Sequence, residues 1–220
     1  MRALIKKIVH PVLNRWYQRR TKSTQGYRNH GLDLLIFPDV FHPGVFLSTN
    51  IFIRFLKTKD LQNKRILELG AGSGMISFFC AKQGAEVTAS DINENALDGL
   101  RSNAERNQIL ITVVASNLFE SINPNDFDMI LINPPYYPRN PQNQKDEAFY
   151  CGVNFEYFHA FFTQIEEKLQ DNVDLLMILS VDCDLSMIKK IGMDHGFDMK
   201  VVHATTKRME RNYIFQIVPN

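Results

Sequence analysis

The sequence predicts one α/β domain built on a mostly parallel sheet. Short apolar runs, typical of strands buried on both faces, alternate with helix-like segments along most of the 220 residues. One of these runs, residues 65–67, leads into a glycine-rich turn at residues 68–74 and then into a helix-like segment from Met75 to Lys82. A hydrophobic content of 45% is sufficient for a single core.

Basic residues are concentrated at the N-terminus. Residues 1–32 contain eight Lys and Arg and no acidic residue, whereas the rest of the chain has 17 basic and 24 acidic residues. Apolar residues at helical spacing from Leu4 to Tyr17 predict a short basic amphipathic helix, and we place a boundary between a helical extension of residues 1–26 and a domain of residues 27–220. Such a segment is either a packing helix with a solvated face or a guide for a polyanion such as RNA.

Composition gives a second set of expectations. The three cysteines, Cys80, Cys151 and Cys183, are scattered and lack metal-ligand spacing, so we expect reduced thiols, a cytoplasmic location and no metal. The chain also lacks an apolar run long enough for a membrane span.

The segment before the glycine turn begins with two short strands in residues 27–37, which meet at a hairpin-type turn over residues 29–31. Ser48 or Thr49 is then expected to cap a helix over residues 50–57.

The turn itself, Glu68-Leu69-Gly70-Ala71-Gly72-Ser73-Gly74, has the composition of a loop that cradles a nucleotide. Its glycines permit positive φ and remove the Cβ atoms that keep a ligand from the main chain. A second strand, residues 86–90, ends in Asp91, where a carboxylate can hold both hydroxyls of a ribose. A dinucleotide fingerprint would need glycine where the chain has Met75, which disfavours a nicotinamide-dependent oxidoreductase.

The remaining elements continue the alternation. We expect helices over residues 93–108, 155–165 and 184–195, and strands over residues 111–114, 127–132, 173–180 and 197–203. A turn over residues 207–212 then leads into a last strand, residues 213–218, which forms a terminal hairpin. Residues 137–150 are polar and predict a loop that can close over a substrate.

The fourth buried strand runs into Asn133-Pro134-Pro135-Tyr136. Two prolines remove two backbone donors, so the Asn133 side-chain oxygen and the Pro134 carbonyl can accept both hydrogens of one NH₂ group. Such acceptors localise the nitrogen lone pair and make that nitrogen a better nucleophile. Tyr136 offers a flat surface for an amide or a base. The simpler interpretation is a proline turn after a strand.

Together, Glu-x-Gly-x-Gly-x-Gly and Asn-Pro-Pro-Tyr about sixty residues later resemble the class I S-adenosylmethionine (SAM) methyltransferases of the Asn-Pro-Pro-Tyr type, which include HemK-like glutamine N-methyltransferases and methyltransferase small domains. The resemblance covers residues 27–218. It implies a Rossmann-like fold with a seven-stranded, mostly parallel sheet and an antiparallel last strand. It implies SAM as cofactor, bound by Thr49, Glu68, Gly70, Ala71, Gly72, Gly74, Asp91, Ile92, Asn117 and Leu118.

The same resemblance assigns Asn133, Pro134, Pro135 and Tyr136 to catalysis, and the segment containing Phe46 and Thr49 to the methionine end of SAM. Many relatives have Asp where this chain has Asn117, whose carboxamide oxygen can still accept a bond from the adenine amino group. The implied reaction is methylation of a planar NH₂ nitrogen of a macromolecule.

The substrate stays open in the sequence. Adenine, guanine, a protein glutamine and a small amine all present such a nitrogen, and the basic N-terminal segment slightly favours RNA over a protein. A non-catalytic RNA-binding protein with a methyltransferase shell is a further alternative, but it has no physical need for both motifs.

Overall fold

The computed structural model describes residues 23–45, 47–170, 173–207 and 210–220. The predicted basic helix of residues 1–26 lies almost entirely outside the described residues, as does Phe46. The strands are β1 Gln25–Asn29, β2 Leu32–Ile36, β3 Arg65–Leu69, β4 Glu86–Asp91, β5 Thr112–Ala115, β6 Met129–Ile132, β7 Asp174–Ser180, β8 Phe197–Lys207 and β9 Glu210–Pro219. The helices are α1 Ser48–Leu56, α2 Met75–Lys82, α3 Glu94–Asn107, α4 Gln144–Glu147, α5 Glu156–Lys168 and α6 Leu185–Asp194.

Seven strands form one sheet in the order β5-β4-β3-β6-β7-β9-β8. Strands β3 to β7 pair in parallel, and β9 is antiparallel to both of its neighbours. The expected seven-stranded, mostly parallel sheet with an antiparallel last strand is therefore confirmed. The strand order reverses between β3 and β6, and open α/β sheets bind ligands at the carboxyl ends of the strands beside such a switch point.

The sheet separates two apolar cores. On one face it packs against α1, α2 and α3, with Phe52 and Phe78 fully buried. On the other face it packs against α5 and α6, and α5 places Phe158, Phe161 and Phe162 in that core. Because both faces are covered, the central strands are apolar without alternation, as in the four buried residues of β6.

The N-terminal hairpin, β1 and β2, forms a separate two-stranded sheet that is joined to α3 by side-chain amides. The Asn103 carboxamide accepts from the Leu35 N–H at 2.7 Å and donates to the Leu35 carbonyl at 2.9 Å. Asn107 makes the same pair of bonds with Asp33, at 2.9 Å each. These amides satisfy the free edge of β2 and fix the chain that follows it.

Two local predictions were wrong. The N-cap of α1 is Leu47, which provides no side-chain cap, so neither Ser48 nor Thr49 caps this helix. Lys207 and residues 210–212, which were predicted to form part of a turn, belong to strands β8 and β9. Cross-strand pairing in this long hairpin favours extended backbone where the local sequence favours a turn.

Candidate active site

A cavity of about 630 Å³ opens at the carboxyl ends of β3, β4, β5 and β6. This volume lies within the range of about 300–1,000 Å³ that is typical of small-molecule sites. Thirteen of the fourteen site residues expected from the sequence line it: Thr49, Glu68, Gly70, Ala71, Gly72, Asp91, Ile92, Asn117, Leu118, Asn133, Pro134, Pro135 and Tyr136. The tertiary structure thus brings the glycine turn and the proline turn to one cavity.

The glycine turn is held by the neighbouring strand β4. Gly70 and Gly72 have φ of +70° and +52°, a conformation that favours glycine. The Ala71 N–H donates to the Ser90 carbonyl, and the Gly72 N–H donates to Asp91 Oδ2, both at 2.8 Å. A methyl group added at Gly70 would meet no heavy atom within 4 Å, so this backbone is open to the cavity.

Gly74, the fourteenth residue, does not line the cavity. It lies at the N-cap of α2 with φ of +75°, and a Cβ there would overlap the Leu100 side chain and approach the Phe78 ring at 2.7 Å. Gly74 therefore permits close packing of α2 against α3, while Gly70 leaves space on the cavity side.

Glu68 is a buried acid on the floor of the cavity, with 4% of its surface exposed. Its Oε2 accepts from the Ser77 N–H at 2.7 Å and from the Ser77 hydroxyl, so it satisfies the first turn of α2. Burial raises the pKa of Glu68 to about 8, although the bonds from Ser77 act in the opposite direction. Burial therefore favours the protonated form of this carboxyl near neutral pH.

Asp91 lies at the end of β4, between the glycine turn and α3. Its Oδ2 accepts from the Gly72 N–H and its Oδ1 accepts from the Asn93 N–H at 2.9 Å. Burial raises the pKa of this carboxyl, and the backbone bonds oppose that rise. The carboxylate still has acceptor capacity for a further donor.

An apolar slot adjoins Asp91. Ile92 is 55% exposed although it is a large apolar residue, and Leu118 faces the same cavity. Leu118 is held at φ of +52° in a turn where Ser116 Oγ donates to its carbonyl at 2.8 Å. Asn117 donates from Nδ2 to Glu120 at 2.8 Å, which orients its carboxamide oxygen as an acceptor.

The beginning of α1 forms a third wall. Ser48 and Thr49, 8% and 4% exposed, both line the cavity. Within the described part of the chain, neither hydroxyl has a hydrogen-bond partner, and the first turn of α1 has no side-chain cap. Free N–H groups and hydroxyls at a helix N-terminus attract an anionic group.

The proline turn after β6 presents acceptors. Pro134 is buried, while Asn133 and Tyr136 are half-buried. Among the residues that the structure describes, nothing donates to the Asn133 carboxamide or to the Pro134 carbonyl. Burial raises the pKa of Tyr136, so its phenol stays neutral, and its ring packs 4.8 Å from that of Tyr137 at an angle of 53°.

The loop of residues 137–150 is more ordered than its polar sequence predicts. Tyr137 donates its N–H to the Phe149 carbonyl and accepts from the Cys151 N–H, both at 3.0 Å, and the segment contains the short helix α4. The Phe149 ring contacts the Phe41 ring at 5.8 Å, and both residues line the cavity. The loop thus forms a wall that meets the segment preceding α1.

Among the described residues, the Asp, Glu, Lys, Arg and His side chains that line the cavity are all acidic. Its walls carry five acidic residues and, among the described residues, no Lys, Arg or His; the acidic ones are Asp39, Glu68, Asp91, Glu147 and Glu156. Such a cavity favours a ligand with positive charge and disfavours one that carries a pyrophosphate.

Comparison with known proteins gives the family. Residues 34–209 match the family model of the methyltransferase small domain. The chain belongs to this family.

Similar proteins agree with this membership. A putative protein N5-glutamine methyltransferase of Methanocaldococcus jannaschii is 36% identical over 131 residues, which cover 58% of this chain and 60% of that protein. The 16S rRNA N2 G1207 methyltransferase of T. thermophilus, solved with AdoMet and guanosine, superimposes with a TM-score of 0.62 at 17% identity, over 88% of this chain and 50% of that one. The E. cuniculi Mtq2–Trm112 complex, described as responsible for methylation of the eRF1 translation termination factor, gives 0.62 at 21% identity, over 83% and 99%.

These similarities support different conclusions. At identities below 25%, the two solved structures show the shared fold alone. The match to the archaeal relative spans less than two thirds of that protein's length. Membership of the methyltransferase small domain family nevertheless disfavours the oxidoreductase hypothesis, which Met75 already weakened.

Several lining residues of this family member were missed in the sequence. Asp39, Ser48 and Tyr157 line the cavity, but the sequence did not indicate them as site residues. One signal is conformational: Asp39 has φ of +60°, and such strain in a non-glycine residue is enriched at functional sites. It is visible only in the folded chain.

Proposed function

We propose that this chain is a SAM-dependent N-methyltransferase that acts on the side-chain amide of a glutamine in a protein. The observation that carries the proposal is the position of the Asn133–Tyr136 turn, which lines the same acidic cavity as the glycine turn and whose acceptors have no donor among the described residues. A methyl donor and an NH₂ group can therefore share one enclosed volume.

The cavity fits SAM in charge and in shape. When bound, SAM supplies an electrophilic methyl group on a sulfonium. The acidic walls suit that positive charge, and the open backbone at Gly70 suits close approach of the ligand. Gly74 is proposed to act only indirectly, by fixing the start of α2.

Each end of SAM has a matching wall. We assign the ammonium to Glu68, the carboxylate to Ser48 and Thr49 at the beginning of α1, and the ribose hydroxyls to Asp91. The adenine is assigned to Ile92 and Leu118, with the Asn117 carboxamide oxygen as acceptor for its amino group. No basic residue is required, because a helix N-terminus stabilises a carboxylate by itself.

The acceptor amide is held by the proline turn. Asn133 Oδ1 and the Pro134 carbonyl accept its two N–H groups, which localises the lone pair and aims it into the cavity. Pro135 fixes the turn, and the Tyr136 ring supports the amide plane. Because orientation and electrostatics supply most of the rate, no strong general base is needed, and a proton leaves after transfer.

Glutamine is favoured over RNA on two grounds. The acidic walls disfavour a phosphodiester beside the acceptor, and the M. jannaschii relative is described as a protein N5-glutamine methyltransferase. The preference for RNA depended on residues 1–26, of which the first 22 lie outside the described part of the structure.

Location and domain boundary complete the proposal. The three cysteines are buried and free, which supports a reducing, cytoplasmic setting. The described helices include none that is long and apolar enough to cross a membrane, and the described residues include no cluster of three metal ligands. We retain residues 27–220 as the catalytic domain.

The test separates cofactor binding from transfer. Calorimetric titration with S-adenosylhomocysteine (SAH), with NADH as control, is expected to show micromolar binding of SAH alone. Labelled SAM is then supplied with a protein extract and with total RNA, and label is expected in protein as N5-methylglutamine.

Asn133→Ala should abolish transfer and leave SAH binding nearly intact, because it removes only an acceptor for the substrate. The matched variant Asn140→Ala changes another cavity asparagine outside the turn and should keep most of the activity. Label in RNA alone would overturn the glutamine assignment, and equal loss of binding and transfer in Asn133→Ala would overturn the role given to Asn133.

A further inference from the structure

Glu68 lines the cavity, and no Lys, Arg or His among the described residues lines it with Glu68. One of its oxygens accepts hydrogen bonds from Ser77 in the first turn of α2, and only 4% of the residue is exposed. Two titratable groups interact electrostatically with Glu68: the carboxyl of Asp91 at the end of β4 and the thiol of Cys80 on α2. Neither group can carry a positive charge. Asp39 adds a third carboxylate to the same cavity.

Neutral groups complete the surroundings of Glu68. Ser48 and Thr49 of α1 line the same cavity, and Leu131 of β6 and Ala89 of β4 flank Glu68 in the sheet. Burying an unpaired carboxylate beside other acids is costly, so the free protein keeps a proton on one of them. A ligand ammonium is the counter-ion that this group lacks.

We propose that binding of the amino-acid end of SAM or SAH displaces a proton from Glu68, so that cofactor affinity depends on pH. This inference rests on the proposed function, because it presumes a ligand whose ammonium reaches Glu68. It assigns to Glu68 the role of a proton-linked recognition residue for the charged end of the ligand.

The pH range follows from the energetics of the free protein. Burial raises the pKa of Glu68 to about 8, and a neighbouring ammonium lowers it again. At a pH between the Glu68 pKa of the complex and the higher Glu68 pKa of the free protein, each ligand molecule that binds releases a proton, and affinity rises with pH. At pH 7 the carboxyl releases roughly half a proton to one proton for each ligand bound, and affinity rises up to about tenfold from pH 6 to pH 7.

The experiment counts protons by calorimetry. SAH is titrated into the whole chain in buffers of different ionisation enthalpy, at pH 6.0 to 7.5, where the ligand ammonium stays protonated. 5′-Methylthioadenosine, which shares the nucleoside and thioether of SAH but lacks the amino acid, is titrated in parallel. Release of a proton with SAH but not with 5′-methylthioadenosine is the expected result.

Two variants test whether the released proton comes from Glu68. Glu68→Gln has nearly the shape of the protonated acid but cannot ionise. It should therefore bind SAH with low affinity and release no proton. Its affinity for SAH and its affinity for 5′-methylthioadenosine should have the same pH dependence. Ser77→Ala removes a hydrogen bond that lowers the Glu68 pKa, so it should move the rise in affinity to higher pH. Thermal unfolding of each variant checks that it is folded.

The outcomes separate the two proposals. If SAH binds but releases no proton, or if Glu68→Gln releases as much as the natural chain, the proton linkage is wrong while the proposed function stands. If 5′-methylthioadenosine releases the same proton, the group that titrates is beside the nucleoside, and the assignment to Glu68 is again wrong. If SAH does not bind at any pH, the proposed function itself fails.

Discussion

Replacing Gly70 and Gly74 by alanine, one at a time, should distinguish a glycine that leaves space for the ligand from a glycine that permits helix packing. Both residues have φ near +70°, and an L side chain in this conformation costs about 1–2 kcal/mol. At Gly70 the added methyl meets nothing, so the loss of stability stops there. At Gly74 the methyl also overlaps Leu100 and Phe78, and overpacking of this kind adds about 1–3 kcal/mol.

For a chain of this length, each kcal/mol lowers the melting temperature by about 2–4 °C. Gly70→Ala should therefore melt about 2–8 °C lower, and Gly74→Ala about 4–20 °C lower, in calorimetric or fluorescence scans. SAH affinity should change in the opposite order: Gly70→Ala places a methyl in the cavity and should bind at least about tenfold more weakly, a loss of about 1.4 kcal/mol. Gly74→Ala, assayed below its melting temperature, should bind SAH nearly normally.

The two variants are controls for each other, because they carry the same substitution in the same backbone conformation. Normal SAH affinity in Gly70→Ala would refute the reasoning that the ligand lies against this backbone. Equal melting temperatures would refute the packing role given to Gly74.

Two further predictions concern stability. Asn103→Leu removes the hydrogen bonds that its carboxamide makes to the N–H and carbonyl of Leu35 at the edge of β2, and should lower the free energy of unfolding in urea by roughly 2–5 kcal/mol. Asn107→Ala, at the more exposed end of α3, should lower it less. An unchanged urea midpoint for Asn103→Leu would contradict the role of this amide. The free protein should also become less stable than Glu68→Gln as the pH rises from about 5 to about 8. The raised pKa of Glu68 gives stability at acidic pH that is lost as the carboxyl ionises, on the order of a few kcal/mol, and parallel pH profiles of the two proteins would show that Glu68 does not titrate there.

Much of the fold was predictable because hydrophobic period and strand length are local properties. The apolar runs gave the buried strands, and the helix over Met75–Lys82 has the bounds expected from its sequence. The cap of α1 was not predictable in this way, because Ser48 and Thr49 are good cap residues by composition. In the folded chain they begin the helix and face the cavity instead.

In the candidate site, too, some residues were predictable from the sequence and others were not. The motif residues from Glu68 to Gly72 and from Asn133 to Tyr136 were found from the sequence, because their backbone requirements are written in glycine and proline. Gly74 looked like a third ligand-facing glycine, but the direction of its absent Cβ depends on where α3 packs. Tyr157 belongs to no sequence motif, and only the position of α5 beside the cavity makes it a lining residue.

By itself, the sequence determined the elements, the two motifs and the expected chemistry of an NH₂ acceptor, since each depends on residue types at short spacing. The tertiary structure decided which charges meet: it collected five acids and no described base around one cavity, and buried Glu68 among them. Burial and the separation between charges set the electrostatic energy of a carboxyl, and both arise from contacts between residues far apart in the chain. The raised pKa of Glu68 therefore depends on the folded chain, and no local pattern of residues predicts it.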